Sequence, residues 1–240
     1  MGAVSRRGLL RLSSSQQLFD VERFRPERTR VAVAREVSGP TLVLGSTQPT
    51  ELVDPPAMRR RGVELVRRRG GGGAVYLEPG RQLWLDAWIP RDDPLWSGDV
   101  SAAAEWVGAW WVDALSRRGQ RGFDVHRGRS VPGEFGELVC FAGRGPGEVF
   151  HDSQKVVGLS QWRSREGALF SACAYLCWDP ASLLELLYVD ESTPTELDRG
   201  VTRAAVGLQE LEPAVTDLGR VRDTLLESFP FLGPAAMPGD

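Results

Sequence analysis

The alternation of apolar and polar side chains changes period along the chain, and each change marks an element. RVAVAREV (residues 30–37) and TLVLG (residues 41–45) are apolar and β-branched on either side of a Ser-Gly-Pro break, and they predict two short strands joined by a turn. Residues 59–66 mix charge with apolar positions, as in a short helix running into a strand. AVYLEP (74–79) and QLWLDAWIP (82–90) alternate around Pro79-Gly80, which predicts a hairpin. Residues 99–119 switch to the helical period. Asp99 and Ser101 are candidate caps, Val107, Trp110, Trp111 and Ala114 share a face, and Arg117, Arg118 and Gly119 form a stop signal. GELVCFAG (136–143), EVFH (148–151), KVVGLSQW (155–162) and ALFSACAYL (168–176) predict a second, antiparallel run of strands. Residues 181–189 and 216–229 are helical, with Pro194 and Pro213 as breaks. The order is sheet, helix, sheet, terminal helices. It predicts an α+β fold, a mixed β-sheet packed with helices, as one domain over residues 30–230 with its C-terminal helices from about residue 181. Residues 1–29 carry no defined element, and residues 231–240 read as a loose tail.

Composition narrows the function classes. Hydrophobic residues make up 42% of the 240, with eight tryptophans, enough for a substantial core. A net charge of −3 gives no overall attraction to nucleic acid or anionic membrane, and no apolar run is long enough to span one. Three cysteines, an odd number, argue against a disulfide framework and for a reducing, cytoplasmic setting. Cys173 and Cys177 lack His or Cys partners at ligand spacing, so core packing is expected there and no metal site. His126 and His151 are the only histidines, and no Ser-His-Asp spacing stands out.

Two features stand out, each with a plain alternative: a flexible surface loop for the first, and chance retention of one lysine for the second. The run RRRGGGGAVYLEPG (67–80) holds four consecutive glycines, which carry a conformational entropy cost and allow backbone N–H groups to approach an anion. No GK[ST] follows, so it is not a P-loop, and a strand rather than a helix comes next, so it is not a dinucleotide fingerprint. The second feature is Lys155. Of the 29 Lys and Arg residues it alone is lysine, in KVVGLSQ. Lysine is a compact point charge that fits where a planar guanidinium clashes, and a lysine facing a glycine loop suits a phosphate and a carboxyl group.

Together these segments resemble the biotin/lipoate–protein ligase superfamily. VELVRRRGGGGAVYLEPG is similar to the "RRxxGGGAV(F/Y)HD" segment of lipoate–protein ligases, KVVGLSQ to their "K(I/V)xGxAQ" segment, and PTLVLGSTQ (40–48) to their "PxxxxGxxQ" strand and turn. The resemblance implies the superfamily's α+β catalytic domain, of the class II synthetase type. It implies a ligase that joins lipoate or octanoate to AMP, using ATP and Mg²⁺, and passes the acyl group to a lysine of a lipoyl domain. The partners implied are lipoyl domains of 2-oxoacid dehydrogenase complexes or the glycine cleavage H protein. Carried over position by position, Gly71, Gly72, Gly73, Ala74 and Val75 would line the acyl and adenylate site and Arg68 would serve its charged end. Lys155 would bridge phosphate and acyl oxygen, and Gly158, Leu159, Ser160 and Gln161 would form the facing loop. The family's His-Asp after the glycines is Leu77-Glu78 here, and its downstream histidine element is replaced in FSACAYL (170–176). The chain is expected to lack the C-terminal accessory domain of long ligases, which a separate accessory subunit would then supply.

GELVCFAGRGPGEVFHDSQK resembles another branch, the cysteine-dependent octanoyltransferases, in which a Cys-Phe pair precedes the lysine. That branch needs no cofactor: Cys140 would take octanoyl from an acyl carrier protein as a thioester, with Lys155 favouring the thiolate. Its glycine motif usually reads "GGRAV", whereas Gly73 gives the ligase form here. The altered histidine positions also admit a non-catalytic binder of lipoyl domains or acyl-AMP. Biotin ligases usually carry "GRGRxGRxW", which is absent.

Overall fold

The computed structural model describes residues 6–11, 17, 20–24, 27–189 and 194–230. The tail expected over residues 231–240, and much of the segment 1–29, lie outside the described residues. Within that first segment Arg6–Arg11 forms β1, an element the sequence pattern did not predict.

The strands fall into two sheets. The larger has seven strands in the order β1, β2 (Val31–Glu36), β6 (Gln82–Pro90), β10 (Gly167–Tyr175), β9 (Gln154–Arg163), β8 (Val149–His151) and β7 (Phe123–Val125). β1 runs parallel to β2, and every other pairing is antiparallel. The smaller sheet places β3 (Thr41–Leu44) between β4 (Glu64–Arg67), parallel, and β5 (Val75–Leu77), antiparallel, with helix α1 (Pro55–Arg61) connecting β3 to β4. The expected hairpin of residues 74–90 is therefore wrong. β5 and β6 belong to different sheets, and the Pro79-Gly80 turn carries the chain from one to the other. Local alternation reported two strands correctly but could not name their partners.

The central strands explain their own alternation. Leu83, Leu85, Ala87 and Ile89 of β6 and Ala168, Phe170, Ala172 and Ala174 of β10 face the long helix α2 (Ala102–Arg117) and the C-terminal α6 (Gly219–Ser228). On the opposite face Trp84, Cys173 and Tyr175 pack on the small sheet and on the short helices α3 (Ala181–Leu184) and α4 (Pro194–Ala204), while Trp88 and Leu169 join Val21 and Phe24. α2 buries the predicted face, and Asp99 alone caps it, its carboxylate accepting from Ser101 N and Ala102 N; the Ser101 hydroxyl accepts no cap hydrogen bond.

Three further expectations are corrected. Residues 136–143 are not a strand: Val139 makes one bridge to Ala74, and Cys140–Ala142 is a 3-10 turn. Residues 181–189 are helical only over α3, after which Leu187 bridges Val53. Between the two predicted C-terminal helices lie α4, beginning at Pro194, and α5 (Leu208–Leu211). α4 shows Pro194 as a helix start rather than a break, the position where its missing N–H costs nothing. No helix among the described residues is long and apolar enough to cross a membrane.

Candidate functional site

The glycine run is held from behind by its own arginines. Arg68 is 3% exposed and folds back on the loop, donating from Nη2 to Gly71 O (2.7 Å) and Gly73 O (2.8 Å). Arg67 donates to Gly45 O (2.8 Å) and Gln48 O (2.6 Å), fixing the preceding turn. Gln48, itself buried, accepts from Gly45 N and donates to the carbonyls of Glu137 and Leu138. One amide thus stitches the β3 turn to the segment that carries Cys140. Gly73 lies against that segment so closely that a Cβ would stand 2.6 Å from the Val139 backbone and 2.7 Å from Cys140 N. Ala74 completes the contact with Ala74 N→Leu138 O and Cys140 N→Ala74 O hydrogen bonds.

Lys155 is placed by an irregularity in the sheet. Along β8 the pairing passes from Val149 to Phe150, while along β9 it jumps from Val157 to Lys155, leaving Val156 as the extra residue. Val156 and Val157 both enter the helix-side core, and Lys155 turns to the other face. Its backbone is locked from outside by a bridge to Ala205 and by Val206 N→Lys155 O. The side chain is 1% exposed. Nζ donates to the carbonyl of Cys140 (2.8 Å) and pairs with Glu148 Oε2 (2.7 Å), between the rings of Phe141 (5.6 Å) and Phe150 (6.0 Å). Glu148 is positioned by the turn before it: Gly147 has φ 77° and presses its backbone onto Ala104 of α2, where no side chain fits.

These elements enclose a cavity of about 770 Å³. Its walls include Gly70, Gly71 and Gly72 on one side, Leu159, Ser160 and Gln161 of β9 on another, and Cys140, Glu148 and Lys155 at the base. The glycine loop and the lone lysine, distant in sequence, meet in one space. Some expected positions lie elsewhere. Gly73, Ala74 and Val75 are behind the wall, supporting Cys140 rather than lining the cavity, and Gly158 backs onto the Phe141 ring. Arg68 is turned towards the loop carbonyls, with its Nη1 buried and without a hydrogen-bond partner. Cys140 Sγ lies 3.7 Å from Arg68 Nη2, and Lys155 Nζ donates to the carbonyl of the same residue.

Sequence reasoning missed Glu148 and gave Gln48 no role. Gln48 was visible as the final residue of the PTLVLGSTQ motif. Glu148 became a neighbour of Lys155 only through the β8–β9 hairpin and its bulge. Both histidines stand outside the cavity walls: His151 packs on Phe123, and His126 meets Arg129 O. Cys173 is buried, and burial, with the Cys140 thiol adding to it, pushes its own thiol well above the ordinary range. That keeps it an inert part of the core. Cys177 donates to Gln209 Oε1.

The residues do not form a cage for Mg²⁺. Among the described residues no three His, Cys, Asp or Glu side chains come together as ligands, and the oxygens of Glu148 already accept from Lys155, Gly145 N and Leu159 N. A magnesium ion arriving here would be held chiefly by substrate phosphates.

The family model described as Lipoyl protein ligase A/B catalytic domain matches residues 22–230. No curated protein matches the chain by sequence. Among solved structures, one chain from the bi-partite lipoate protein ligase and E2 lipoyl domain of Thermoplasma acidophilum superposes with a TM-score of 0.72 at 21% identity, covering 94% of this chain and 82% of that one. A lipoate-protein ligase A bound with ATP gives 0.71 at 20% identity, covering 94% and 84%. At these identities the likeness shows the fold alone.

Proposed function

The chain belongs to the lipoyl protein ligase A/B catalytic-domain family, and from that premise we propose that it joins lipoate or octanoate, through an acyl-AMP, to a lysine of a lipoyl domain. The observation that carries this reading is the meeting of the glycine loop with Lys155 in one cavity. In the first step a carboxylate oxygen of the acid attacks the α-phosphorus of ATP and pyrophosphate leaves. In the second, the acceptor lysine amine attacks the acyl carbon, AMP leaves, and the amine gives up a proton as the amide forms. Both steps build negative charge on oxygens beside the reacting atom. A fixed ammonium at the base of the cavity stabilises that charge, and loss of such a donor typically costs about 3–4 kcal/mol of barrier. Gly70, Gly71 and Gly72 offer a wall without side chains, along which phosphate oxygens can approach the backbone. Magnesium, when bound with the nucleotide, supplies charge neutralisation at the phosphates.

A second reading rests on Cys140, whose residue lines the same cavity with a guanidinium 3.7 Å from its sulfur. In it the thiolate attacks the thioester carbonyl of an octanoyl-acyl carrier protein and the carrier thiol leaves. The acceptor lysine then displaces Cys140 from the new thioester.

One experiment separates the two. The protein is incubated with a lipoyl domain and either ATP plus lipoate or octanoyl-acyl carrier protein, and both proteins are weighed by mass spectrometry. Mass gain on the lipoyl domain that needs ATP is the expected result. An octanoyl adduct on Cys140 without ATP selects the second reading. A lipoyl domain unchanged in both mixtures ends both.

A further inference from the structure

Lys155 sits in a cradle built by one residue that no family motif above marks. Glu148 is 3% exposed and uses its carboxylate three ways: Oε2 accepts from Lys155 Nζ at 2.7 Å and from Gly145 N at 2.6 Å, and Oε1 accepts from Leu159 N at 3.3 Å. It therefore joins the 143–146 wall, the lysine and the facing loop on β9, all of which border the cavity. An ammonium has three N–H donors. Glu148 and the Cys140 carbonyl take two, and the flanking Phe141 and Phe150 rings restrict where the head can swing.

We propose that Glu148 is the positioning residue of this site: it stores the Lys155 ammonium in a charge-neutral cradle and leaves one N–H donor for the anionic oxygen of the substrate. Burying an ammonium at this depth carries a desolvation cost, which the adjacent Glu148 carboxylate offsets. Backbone N–H donors hold the carboxylate itself, so the pair does not drift when a substrate oxygen arrives. The role of the free donor and its kinetic test rest on the acyl-transfer reading; the cradle itself is a property of the resting protein.

Because the chain has a single lysine, its side chain can be observed alone. With lysine labelled in ¹³C and ¹⁵N, the Nζ group gives one side-chain signal, and its proton exchange with water is measured on the intact protein. The wild type is expected to exchange at least about tenfold more slowly than free lysine, and Glu148→Gln to lose that protection. In the lipoyl-transfer assay Glu148→Gln is expected to lower kcat on the order of tenfold or more while KM changes little, because the donor is mis-aimed rather than removed. Glu148→Asp keeps the charge on a shorter arm and should recover part of both properties. A role confined to stability would instead lower the melting temperature and leave kcat per folded molecule unchanged. Fast Nζ exchange in the wild type overturns the proposal without any variant, and so does normal kcat in Glu148→Gln. If exchange behaves as expected but no lipoyl domain is modified by the wild type, the functional reading fails and the cradle stands.

Discussion

Two buried ion pairs involve strands of the seven-stranded sheet. Arg35 and Asp86, on β2 and β6, meet at 2.5 Å with both side chains 0% exposed. Lys155 and Glu148 meet at 2.7 Å with 1% and 4%. The burial is nearly equal; the surroundings are not. Asp86 also accepts from Trp84 Nε1 and Ser171 Oγ, and Arg35 donates to Gln17 O and lies over the Phe24 ring. That pair is knitted into the sheet and lines no part of the large cavity. The second pair opens onto it. Arginine's planar fork suits a closed site, where it reaches Gln17 O and lies over the Phe24 ring although its Nε and Nη2 make no hydrogen bond. A lysine suits one that must leave a compact donor free. The lone lysine of the chain thus stands at the buried pair with access to a ligand.

The comparison breaks most sharply where one partner is removed. Asp86→Ala leaves Arg35 charged and buried, and a loss of about 3–5 kcal/mol is expected in urea unfolding. Replacing both partners, Arg35→Met with Asp86→Leu, should recover most of that loss if the pair is structural. No such double replacement of Lys155 and Glu148 is expected to restore acyl transfer. Lys155→Arg gives the next effect. The charge is kept but the guanidinium has to enter a space bounded by two phenyl rings and a carbonyl, so a fall in kcat of about 100-fold is expected. A rate within twofold of wild type would remove the distinction drawn between the pairs.

A smaller effect tests the wall that carries Cys140. Gly73→Ala places a methyl 2.6 Å from the Val139 backbone. It is expected to cost about 1–3 kcal/mol in stability and to shift the reactivity of Cys140 towards a thiol reagent. Equal stability and equal labelling would show that the two segments part more easily than their hydrogen bonds indicate.

How much of this was legible beforehand depends on the range of the interaction. The strands of β6, β9 and β10 and the helix α2 announce themselves in period-2 and period-3.6 patterns, because each element buries one face. The mixed α+β class follows from their order. What alternation cannot carry is the partner of each strand, and so β5 was paired with β6 instead of β3. The segment around Cys140 looks like a strand because its apolar residues are buried, yet Val139 and Phe141 are buried by a bridge and a 3-10 turn. Lys155 was legible as an anomaly of composition and as part of a motif. Glu148 was not, since its contact depends on one extra residue, Val156, in a hairpin. Arg68 was legible as a site arginine, but its direction, towards carbonyls of its own loop, is a matter of packing that no motif encodes.

Between the two pairs lies β10, and its chemistry gives the gentlest test. Cys173 stands opposite Trp84 of β6 and Gly158 of β9, and Tyr175, two residues on, donates to Tyr76 O. Burial, foremost, holds both groups in their protonated forms well above the ordinary values of a thiol and a phenol. In the unfolded chain these groups ionise normally, near pH 9 for the thiol and near 10 for the phenol. Above those values the unfolded state binds fewer protons than the folded one, so stability falls as pH rises, by up to about 1.4 kcal/mol per pH unit for each group, and is fully present below them. Urea unfolding of the wild type at pH 8 and pH 10 measures the fall. Cys173→Ala should remove the thiol's share of that slope and Tyr175→Phe the phenol's, while Arg35→Met with Asp86→Leu leaves the slope in place. If the double replacement abolished it instead, the alkaline sensitivity would belong to the structural ion pair, and the separation of the two pairs by a neutral strand would be wrong.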